Sequence, residues 1–344
     1  MHHPPRVAKK AKNKAGRAVT VVDVARIARV SAITVSRALN TPDQVSAKTL
    51  ERIQKAVRQT GYVPNLLAGG LRSAKSRLVA AVVPTISGPV FQGMIQALTD
   101  ALDERGYQLL IGQSGYKTSR EDALLDAIIG RRPIGIVLTG MMHSVEGRRR
   151  LIGAGIPVVE TWDLAKPALD MAVGFSHEAV GEAVCEYLYR KGRRRVAVLS
   201  GDDERATRRT KAFVTAAERF GLPPPAVKWV PAPTTLAAGR EGLSELLQRE
   251  AAIDAVSCSS DLLALGVLTE ANARRVTVPD RLAVIGFGNL PFAAGVIPSL
   301  TTVHIDGVRI GRTAAELIIT RAGGGKVDQP QVDVSFSIVP RDSA

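Results

Sequence analysis

The sequence is poor in the residues that build disulfide and metal sites. Only two cysteines, Cys185 and Cys258, occur among 344 residues, and both have apolar neighbours. Two cysteines give neither a disulfide framework nor metal-ligand spacing, so we expect buried free thiols in a reducing cytoplasm. The five histidines show no metal-ligand spacing. The composition therefore predicts no metal centre.

Long hydrophobic runs are also missing. No apolar stretch approaches the length of a transmembrane helix, and the basic N-terminus lacks the apolar core of a signal peptide. We therefore expect neither a membrane partner nor export.

The phosphate-binding motifs of α/β enzymes are absent as well. The sequence has no G-x-x-x-x-G-K-[ST] loop and no G-x-G-x-x-G between a strand and a helix. Residues 323–325, GGG, follow a helical segment and indicate its end, and residues 202–204, DDE, indicate a helix start. These absences predict a chain that is not an enzyme and that holds no cofactor.

Charge is concentrated at one end of the chain. Residues 1–80 contain 16 Lys or Arg and 3 Asp or Glu, a net charge of +13, whereas the other 264 residues contain 30 and 29, a net charge of +1. A small basic module joined to a nearly neutral body is typical of a protein with one polyanion-binding end. Residues 1–19 carry six basic residues and no acid, which predicts a disordered arm that either contacts phosphates or aids solubility.

The basic module contains two short amphipathic segments around a tight corner. Val21, Val24 and Ala28 have helical spacing, and a second apolar set follows Ser31, which we expect to cap the second helix. A third helix is expected from Ser46 to about Thr60. An amphipathic hairpin inside a larger core is the alternative interpretation, but the basic surroundings favour a helix-turn-helix over residues 20–64.

From residue 78 onward, strand-length apolar runs alternate with helical segments, which predicts a doubly wound α/β domain over residues 78–344. We expect strands near residues 78–84, 108–111, 135–139, 158–160, 171–175, 196–200, 227–230, 255–257 and 282–287. The series divides into two lobes, and a ligand is expected in the cleft between them, at the carboxyl ends of the strands.

Several runs resemble the lactose-repressor (LacI/GalR) family of bacterial transcription regulators, over about residues 20 to 340. TVVDVARIARVSAITVSRALN, QVSAKTLERI and GYVPN resemble its headpiece, and PVFQGM, SSDLLALG, VPDRLAVIGF and SLTTV resemble landmarks of its two-lobed, periplasmic-binding-protein-like effector domain. GYKTSREDALLDAI, PVVETWDLAKPALDMAVGF and DERATRRTKAF resemble the gluconate-responsive branch.

The resemblance implies a repressor whose paired headpieces bind a palindromic operator and whose DNA affinity changes when a small molecule binds between the lobes. It implies a homodimer or a tetramer. The C-terminal region lacks the leucine heptads of a tetramerising tail, which favours the dimer. Relief of repression by the ligand is the family's usual mode, although the sequence does not indicate the direction.

Candidate DNA contacts lie on the second helix and in the linker. Arg37 is expected to bond guanine O6 and N7, and Ala32 and Ile33 fall where the family reads bases. Four polar residues are expected to hold phosphates: Ser31, Thr34, Ser36 and Asn40. Residues 65–77 are expected to form a hinge helix and linker, in which Leu71 resembles the family's minor-groove wedge beside Asn65 and Ala68. The adjacent Gly69-Gly70 pair weakens that helix.

The corner between the first two helices departs from the family pattern. Arg29 stands where the family usually has glycine. A left-handed backbone at that position costs a residue other than glycine about 1 to 2 kcal/mol.

Candidate effector contacts follow from the resemblance. Arg209 aligns with the family's ligand-binding arginine, and Arg205, Lys211 and Lys117 are expected to add positive charge. Gly288 replaces an aspartate and Ser260 replaces an asparagine that sugar-binding members often have, which favours an anionic ligand such as gluconate or a phosphorylated relative. Further candidates are Phe91, Trp162 and Phe175 as apolar walls, with Asp261, His177 and Ser176 as weaker ones.

Two other classes remain open at this point. One is an enzyme or sugar-binding protein on the same α/β scaffold with an appended nucleic-acid-binding module. The other is a free periplasmic binding protein, which the basic headpiece argues against.

Overall fold

The computed structural model describes residues 19–63, 76–86, 88–115, 118–140, 144–164 and 167–344. The chain divides into two compact units, Met1–Lys75 and Ser76–Ala344. Among the predicted features, the arm at residues 1–18, the hinge residues Asn65, Ala68 and Leu71, and Lys117 lie outside the described residues. In the ranges that are described, no helix is long and apolar enough to cross a membrane.

The first unit holds three helices around one small apolar core. They are α1 (Val21–Ala28), α2 (Ala32–Asn40) and α3 (Ala47–Thr60), with a 3₁₀ turn at Pro42–Gln44. Side chains at helical spacing form the core: Val24, Ala25, Ala28, Val35, Ala38, Ile53 and Ala56. The Ser31 hydroxyl accepts a hydrogen bond from Thr34 N at 3.1 Å, so Ser31 caps α2 as its sequence predicts.

The corner between α1 and α2 is left-handed at Arg29, with φ 53° and ψ 49°. The N–H of Val30 donates to Ala25 O at 3.0 Å, which closes the end of α1. The Arg52 guanidinium, on α3, donates to Ala28 O and also to Arg29 O at 3.2 Å. The corner therefore keeps its tight geometry because Arg52 of α3 holds it from outside. The left-handed backbone remains sterically unfavourable for a residue with a Cβ.

The first lobe of the second unit is built on a six-stranded parallel sheet. Its strands are β1 (Leu78–Val83), β2 (Gln108–Gln113), β3 (Gly135–Thr139), β4 (Val158–Thr161), β5 (Met171–Gly174) and β11 (Gln331–Asp333), in the order β11-β5-β4-β3-β1-β2. Helices α4 (Gln92–Asp103), α5 (Thr118–Ile129), α6 (Val145–Ala154) and α11 (Gly307–Ala322) belong to this N lobe.

The second lobe repeats the arrangement. Its strands are β6 (Val196–Gly201), β7 (Ala226–Val230), β8 (Ala255–Cys258), β9 (Ala283–Phe287), β10 (Thr301–His304) and β12 (Ser337–Val339), in the order β12-β10-β9-β8-β6-β7. Only β12 is antiparallel to its neighbour. Helices α7 (His177–Arg190), α8 (Glu204–Arg219), α9 (Leu236–Arg249) and α10 (Asp261–Ala273) belong to this C lobe.

The chain passes between the lobes three times, at residues 175–176, 305–306 and 334–336. Gly181 lets α7 approach α8 directly after the first passage, because a Cβ at Gly181 would lie 2.2 Å from Arg209 O. This close approach fixes the second turn of α7 against the turn of α8 that carries Arg209. The predicted two-lobed α/β domain is thereby confirmed, with a cleft at the carboxyl ends of the strands.

We expect Arg29→Gly to stabilise the helical headpiece by about 0.5 to 1 kcal/mol, because relief of the left-handed strain exceeds the added entropy of the unfolded chain. Backbone hydrogen exchange over residues 21–60 of the intact chain measures this as increased protection. Arg29→Ala is the matched control, since it removes the guanidinium but keeps the Cβ, and it should not increase protection. Lower protection in Arg29→Gly would contradict the assignment of strain.

Candidate DNA-reading helix and ligand cleft

One face of α2 points away from the headpiece core. Ile33, Ser36, Arg37 and Asn40 are all exposed, and their spacing of three and four residues places them on one side of the helix. Ile33 is 72% exposed although it is aliphatic. Burial of Val35 and Ala38 on the opposite side holds this face outward.

The polar groups of α2 differ in how far they are already engaged. Asn40 Nδ2 donates to Ser36 O at 2.9 Å, and the hydroxyls of Ser31 and Thr34 share a hydrogen bond of 2.8 Å. Within the described part of the chain, Arg37 forms no ion pair. Its guanidinium is thus available to bond a base edge, whereas Ser31, Thr34 and Asn40 each have a local structural role beside any phosphate contact.

The cleft of the second unit lies between its lobes and encloses about 740 Å³ of atom-free space, including its open mouth. From the N lobe its walls are Thr85, Gly88, Pro89, Val90, Phe91 and Trp162. From the C lobe they are His177, Asp203, Arg205, Arg209, Ala232, Pro233, Thr234, Ser259, Ser260, Leu262, Phe287 and Leu290. Most of these residues follow the carboxyl end of a strand, as expected for an open α/β sheet.

Aromatic rings form one continuous cluster at the base of the cleft. Phe91 and Trp162 meet edge to face with centroids 5.2 Å apart, and Trp162 meets Phe175 at 6.0 Å. Phe175 in turn lies 6.2 Å from Phe287. These rings join residues of both lobes and exclude water from the groups beside them.

Arg209 extends from α8 into this apolar surrounding. Its guanidinium lies 4.0 Å from the centroid of the Phe287 ring, and Nη2 donates to Ser259 O at 3.2 Å. Burial lowers the pKa of Arg209 to about 10, an effect that Asp203 partly opposes and that Arg205 and Arg208 add to. No carboxylate of the described residues forms an ion pair with Arg209, so its charge faces the cleft without a direct counter-ion.

Arg205, one turn before Arg209, adds a second guanidinium to the cleft wall. It lies 5.2 Å from the centroid of Phe91, which is on the opposite lobe. Its contact with Asp203 is long, at 3.8 Å, and Asp203 also caps α8 by accepting from Ala206 N. Two arginines and one aspartate therefore leave this wall with net positive charge.

His177 connects Arg209 to the N lobe. Its Nδ1 lies 3.0 Å from Arg209 Nη1, and its Nε2 lies 2.9 Å from Trp162 O. A guanidinium only donates and a carbonyl only accepts, so the ring is neutral with the proton on Nε2. Burial, and then the charges of the nearby arginines, hold the pKa of His177 well below its usual value, in agreement with this assignment.

Arg208 forms a second link between the lobes, outside the cleft wall. It donates to the carboxylate of Asp163, which follows β4 in the N lobe. It also donates to both carboxylate oxygens of Glu178 on α7, at 2.7 and 2.9 Å. These hydrogen bonds lower the pKa of Glu178 and raise that of Arg208.

The structure brings six of the predicted effector residues to the cleft wall: Phe91, Trp162, His177, Arg205, Arg209 and Ser260. Phe175 lies behind the wall, fully buried under Trp162. Asp261 also points away from the cleft, because its carboxylate accepts from Thr302 Oγ1 and from Leu290 N at 2.7 Å. Gly288 is not among the residues of the cleft wall, although a Cβ there would lie 3.5 Å from Val90 Cγ2 and 3.7 Å from that same carboxylate.

The sequence reasoning left out Asp203, Thr234 and Thr85 and rated His177 only as a weaker candidate. Each of the first three follows a strand of a parallel sheet directly or within a few residues. The rule that ligands bind at the carboxyl ends of such strands could have identified these residues from the sequence. In the described ranges, no group of His, Cys, Asp or Glu side chains has the arrangement of a metal site.

A helix-turn-helix headpiece joined to a two-lobed α/β domain with a charged cleft defines a ligand-responsive DNA-binding regulator as the class of this protein. Residues 20–65 match the bacterial regulatory proteins of the lacI family, and residues 185–344 match the periplasmic binding protein-like domain. The chain is 35% identical over 326 residues to the HTH-type transcriptional regulator GntR of Pseudomonas aeruginosa, covering 94% of this chain and 95% of that protein. The chain belongs to the LacI family and is a DNA-binding transcriptional regulator.

Solved structures agree with this placement. A LacI-family transcriptional regulator from Silicibacter pomeroyi superimposes with a TM-score of 0.90 at 30% identity, covering 94% of this chain and 99% of that one. The transcription regulator GntR from Chromobacterium violaceum gives a TM-score of 0.75 at 32% identity, over 77% of this chain and 98% of that one. The family and the fold expected from the sequence are both confirmed.

Proposed function

We propose that this protein is a repressor that binds a palindromic operator as a homodimer and is controlled by a sugar acid, such as gluconate, bound between its lobes. The observation that carries the choice of ligand is the charge of Arg209, which faces the cleft without a carboxylate partner among the described residues. The repressor acts in the cytoplasm, where bacterial operator DNA lies.

An anionic ligand matches the electrostatics of the cleft. In surroundings of low dielectric, the attraction between a carboxylate and Arg209 is stronger than it would be in water. The carboxylate also compensates a guanidinium charge that is already desolvated. Arg205 strengthens the same preference, because its one ion pair among the described residues, with Asp203, is long at 3.8 Å. A phosphorylated relative of a sugar acid shares this chemistry.

Hydroxyl groups in the C-lobe wall suit the rest of a sugar acid. Thr234 Oγ1 and Ser260 Oγ share a hydrogen bond of 2.8 Å at the cleft surface. Ligand hydroxyls can exchange with such a pair, and the Phe91 and Trp162 rings offer apolar surface to the carbon chain. Ser260 also caps α10, so the position of its hydroxyl is fixed before a ligand binds.

We propose no catalytic role for the cleft. His177 is the one imidazole among the described residues of its wall, and both ring nitrogens are engaged by Arg209 and Trp162. A general base needs a free nitrogen within reach of its substrate. The geometry of His177 therefore favours a binding protein over an enzyme on the same scaffold.

Control of DNA binding then follows from linkage between the two ligands. If the effector and the operator favour different arrangements of the lobes, each weakens the binding of the other, by a coupling free energy of typically about 1 to 3 kcal/mol. In the proposed mode the sugar acid lowers operator affinity and relieves repression. A homodimer presents two α2 reading faces, which is the symmetry that a palindromic operator matches.

Calorimetry tests the class of ligand. We expect gluconate to bind at least about tenfold more tightly than glucose. We also expect Arg209→Met to weaken gluconate binding by about thirtyfold or more, because truncating one partner of a buried charge pair costs about 2 to 5 kcal/mol. Lys211→Met is the matched control, since Lys211 is exposed on the same helix and, contrary to the sequence-based expectation, lies outside the cleft wall. Equal affinities of the wild type for gluconate and glucose would refute the proposal.

Operator binding tests the reading face. We expect Arg37→Met to lose about 1 to 3 kcal/mol of discrimination at one base pair of each half-site, while the salt slope changes by no more than about one phosphate contact. Arg58→Met removes an exposed charge from α3 and should leave the sequence preference unchanged. Competition with single-base operator variants measures both effects. A uniform loss of affinity for all sequences in Arg37→Met would assign Arg37 to phosphate binding instead.

A further inference from the structure

We propose that His177 is a positioning residue that transmits the occupancy of Arg209 to the N lobe through the backbone of Trp162. The inference rests on the proposed function in one respect, namely that an anion binds at Arg209. It goes beyond that function because it assigns to one side chain the connection between ligand binding and the arrangement of the lobes.

The connection is a continuous chain of hydrogen bonds across the lobe boundary. Ser259 O accepts from Arg209 Nη2 at 3.2 Å, Arg209 Nη1 donates to His177 Nδ1 at 3.0 Å, and His177 Nε2 donates to Trp162 O at 2.9 Å. Ser259, Arg209 and His177 belong to the C lobe, and Trp162 follows β4 of the N lobe. His177 is 1% exposed, so water does not compete for either ring nitrogen.

The N-lobe end of this chain is strained. Trp162 has a φ of 66°, in the left-handed region, although it is a bulky residue and not glycine. Such a conformation costs about 1 to 3 kcal/mol and persists only where the surroundings hold it. The holding contacts are the bond from Trp162 N to Val173 O at 3.0 Å, the bond from its indole Nε1 to Met94 Sδ, and the bond that its carbonyl accepts from His177.

Trp162 also lies next to the passages between the lobes. Its ring packs on Phe175 at the first passage. A Cβ at Gly307, which begins α11 just after the second passage, would lie 3.6 Å from Trp162 Cζ2. A change in the backbone of Trp162 therefore acts where the two lobes are joined.

The C-lobe end of the chain carries the charge that a ligand would meet. When a carboxylate pairs with Arg209, it draws the guanidinium toward the cleft. The hydrogen bond that Arg209 Nη1 donates to His177 Nδ1 then lengthens or breaks. His177 cannot compensate by taking up a proton, because burial and the neighbouring arginines keep it neutral. The change is thus passed to the bond with Trp162 O, and by reciprocity the state of Trp162 alters the affinity at Arg209.

The Arg208 link to Asp163 provides an internal reference. It joins the same two lobes but shares no atom with the chain through His177. We expect a substitution at His177 to leave this ion pair and the contact of Arg208 with Glu178 in place, since neither involves the imidazole. Loss of coupling in a His177 variant is then not a consequence of losing every tie between the lobes.

Two amide substitutions separate the two bonds of His177. His177→Asn keeps an acceptor near the position of Nδ1 for Arg209 but is too short to donate to Trp162 O. His177→Gln keeps a donor that reaches Trp162 O but removes the acceptor for Arg209. A role in packing alone predicts that both variants weaken gluconate binding and speed hydrogen exchange at Trp162 together.

The first measurement uses gluconate as the probe, with calorimetry for its affinity and fluorescence anisotropy for operator binding with and without saturating gluconate. We expect His177→Asn to bind gluconate within about threefold of the wild type while the ligand-induced change in operator affinity shrinks at least fivefold. We expect His177→Gln to bind gluconate at least fivefold more weakly and also to lose most of the change at saturation, because the bond from Arg209 that begins the chain is gone. A wild-type response in His177→Asn would overturn the proposal.

The second measurement needs no ligand, so it tests the chain of hydrogen bonds through His177 independently of the sugar acid. If gluconate does not bind the wild type, the proposed ligand is wrong, and this measurement still decides on the chain. The N–H of Trp162 should exchange with solvent at least tenfold faster in His177→Asn than in the wild type, and at an unchanged rate in His177→Gln. Equal exchange in all three proteins would overturn the proposal. If His177→Asn does not fold, the exchange rate in His177→Gln decides. Faster exchange at Trp162 in that variant would contradict the proposal, because its side chain still donates to Trp162 O.

Discussion

The charge of Arg209 in a partly buried cleft is the constraint on which the ligand site depends. A desolvated guanidinium is costly unless neighbouring groups compensate it. The Phe287 ring, Ser259 O and the Nδ1 of His177 each do so in part, and none of them carries negative charge. The requirement for an acceptor at Nδ1 in turn fixes His177 as the neutral Nε2–H tautomer, so one guanidinium determines the protonation of its neighbour and the bond to Trp162.

In the headpiece, general attraction to DNA and discrimination between sequences come from different residues. Its small core of valine, alanine and isoleucine side chains holds the three helices in place, and residues 19–63 carry seven Lys or Arg against three Asp or Glu. General attraction to DNA phosphates comes from this charge, whereas discrimination depends on the few side chains that face outward from α2. Because the charge is confined to one end, the neutral body can respond to a small anion without competing for DNA.

Features with a local cause could be predicted from the sequence. Helical spacing places Val35 inside and Arg37 outside, Ser31 caps α2 because a hydroxyl at that position meets a free N–H, and Arg29 is left-handed because the corner requires it. The alternation of apolar runs predicts the lobes because parallel strands need helical connections. Strands β10, β11 and β12 escaped this reasoning, and the last two have only three residues each, which give no readable period.

Features that depend on distant partners could not be predicted. Asp261 turns away from the cleft because Thr302, 41 positions further along the chain, and Leu290 bind its carboxylate. His177 gains its role only because folding brings Arg209, 32 positions away, against one ring nitrogen and Trp162 against the other. Single residues of common types carry no sequence signal for such pairings.

The central claim is that an anion in the cleft controls DNA affinity. Its most direct test is the binding of the intact protein to an operator selected from random duplexes, titrated with sugar acids, the matching neutral sugars and their phosphate esters. The account predicts that an acid lowers operator affinity at least about fivefold, the lower end of typical allosteric coupling, while the matching neutral sugar leaves it unchanged. A neutral sugar that shifts operator affinity as much as its acid does would contradict it.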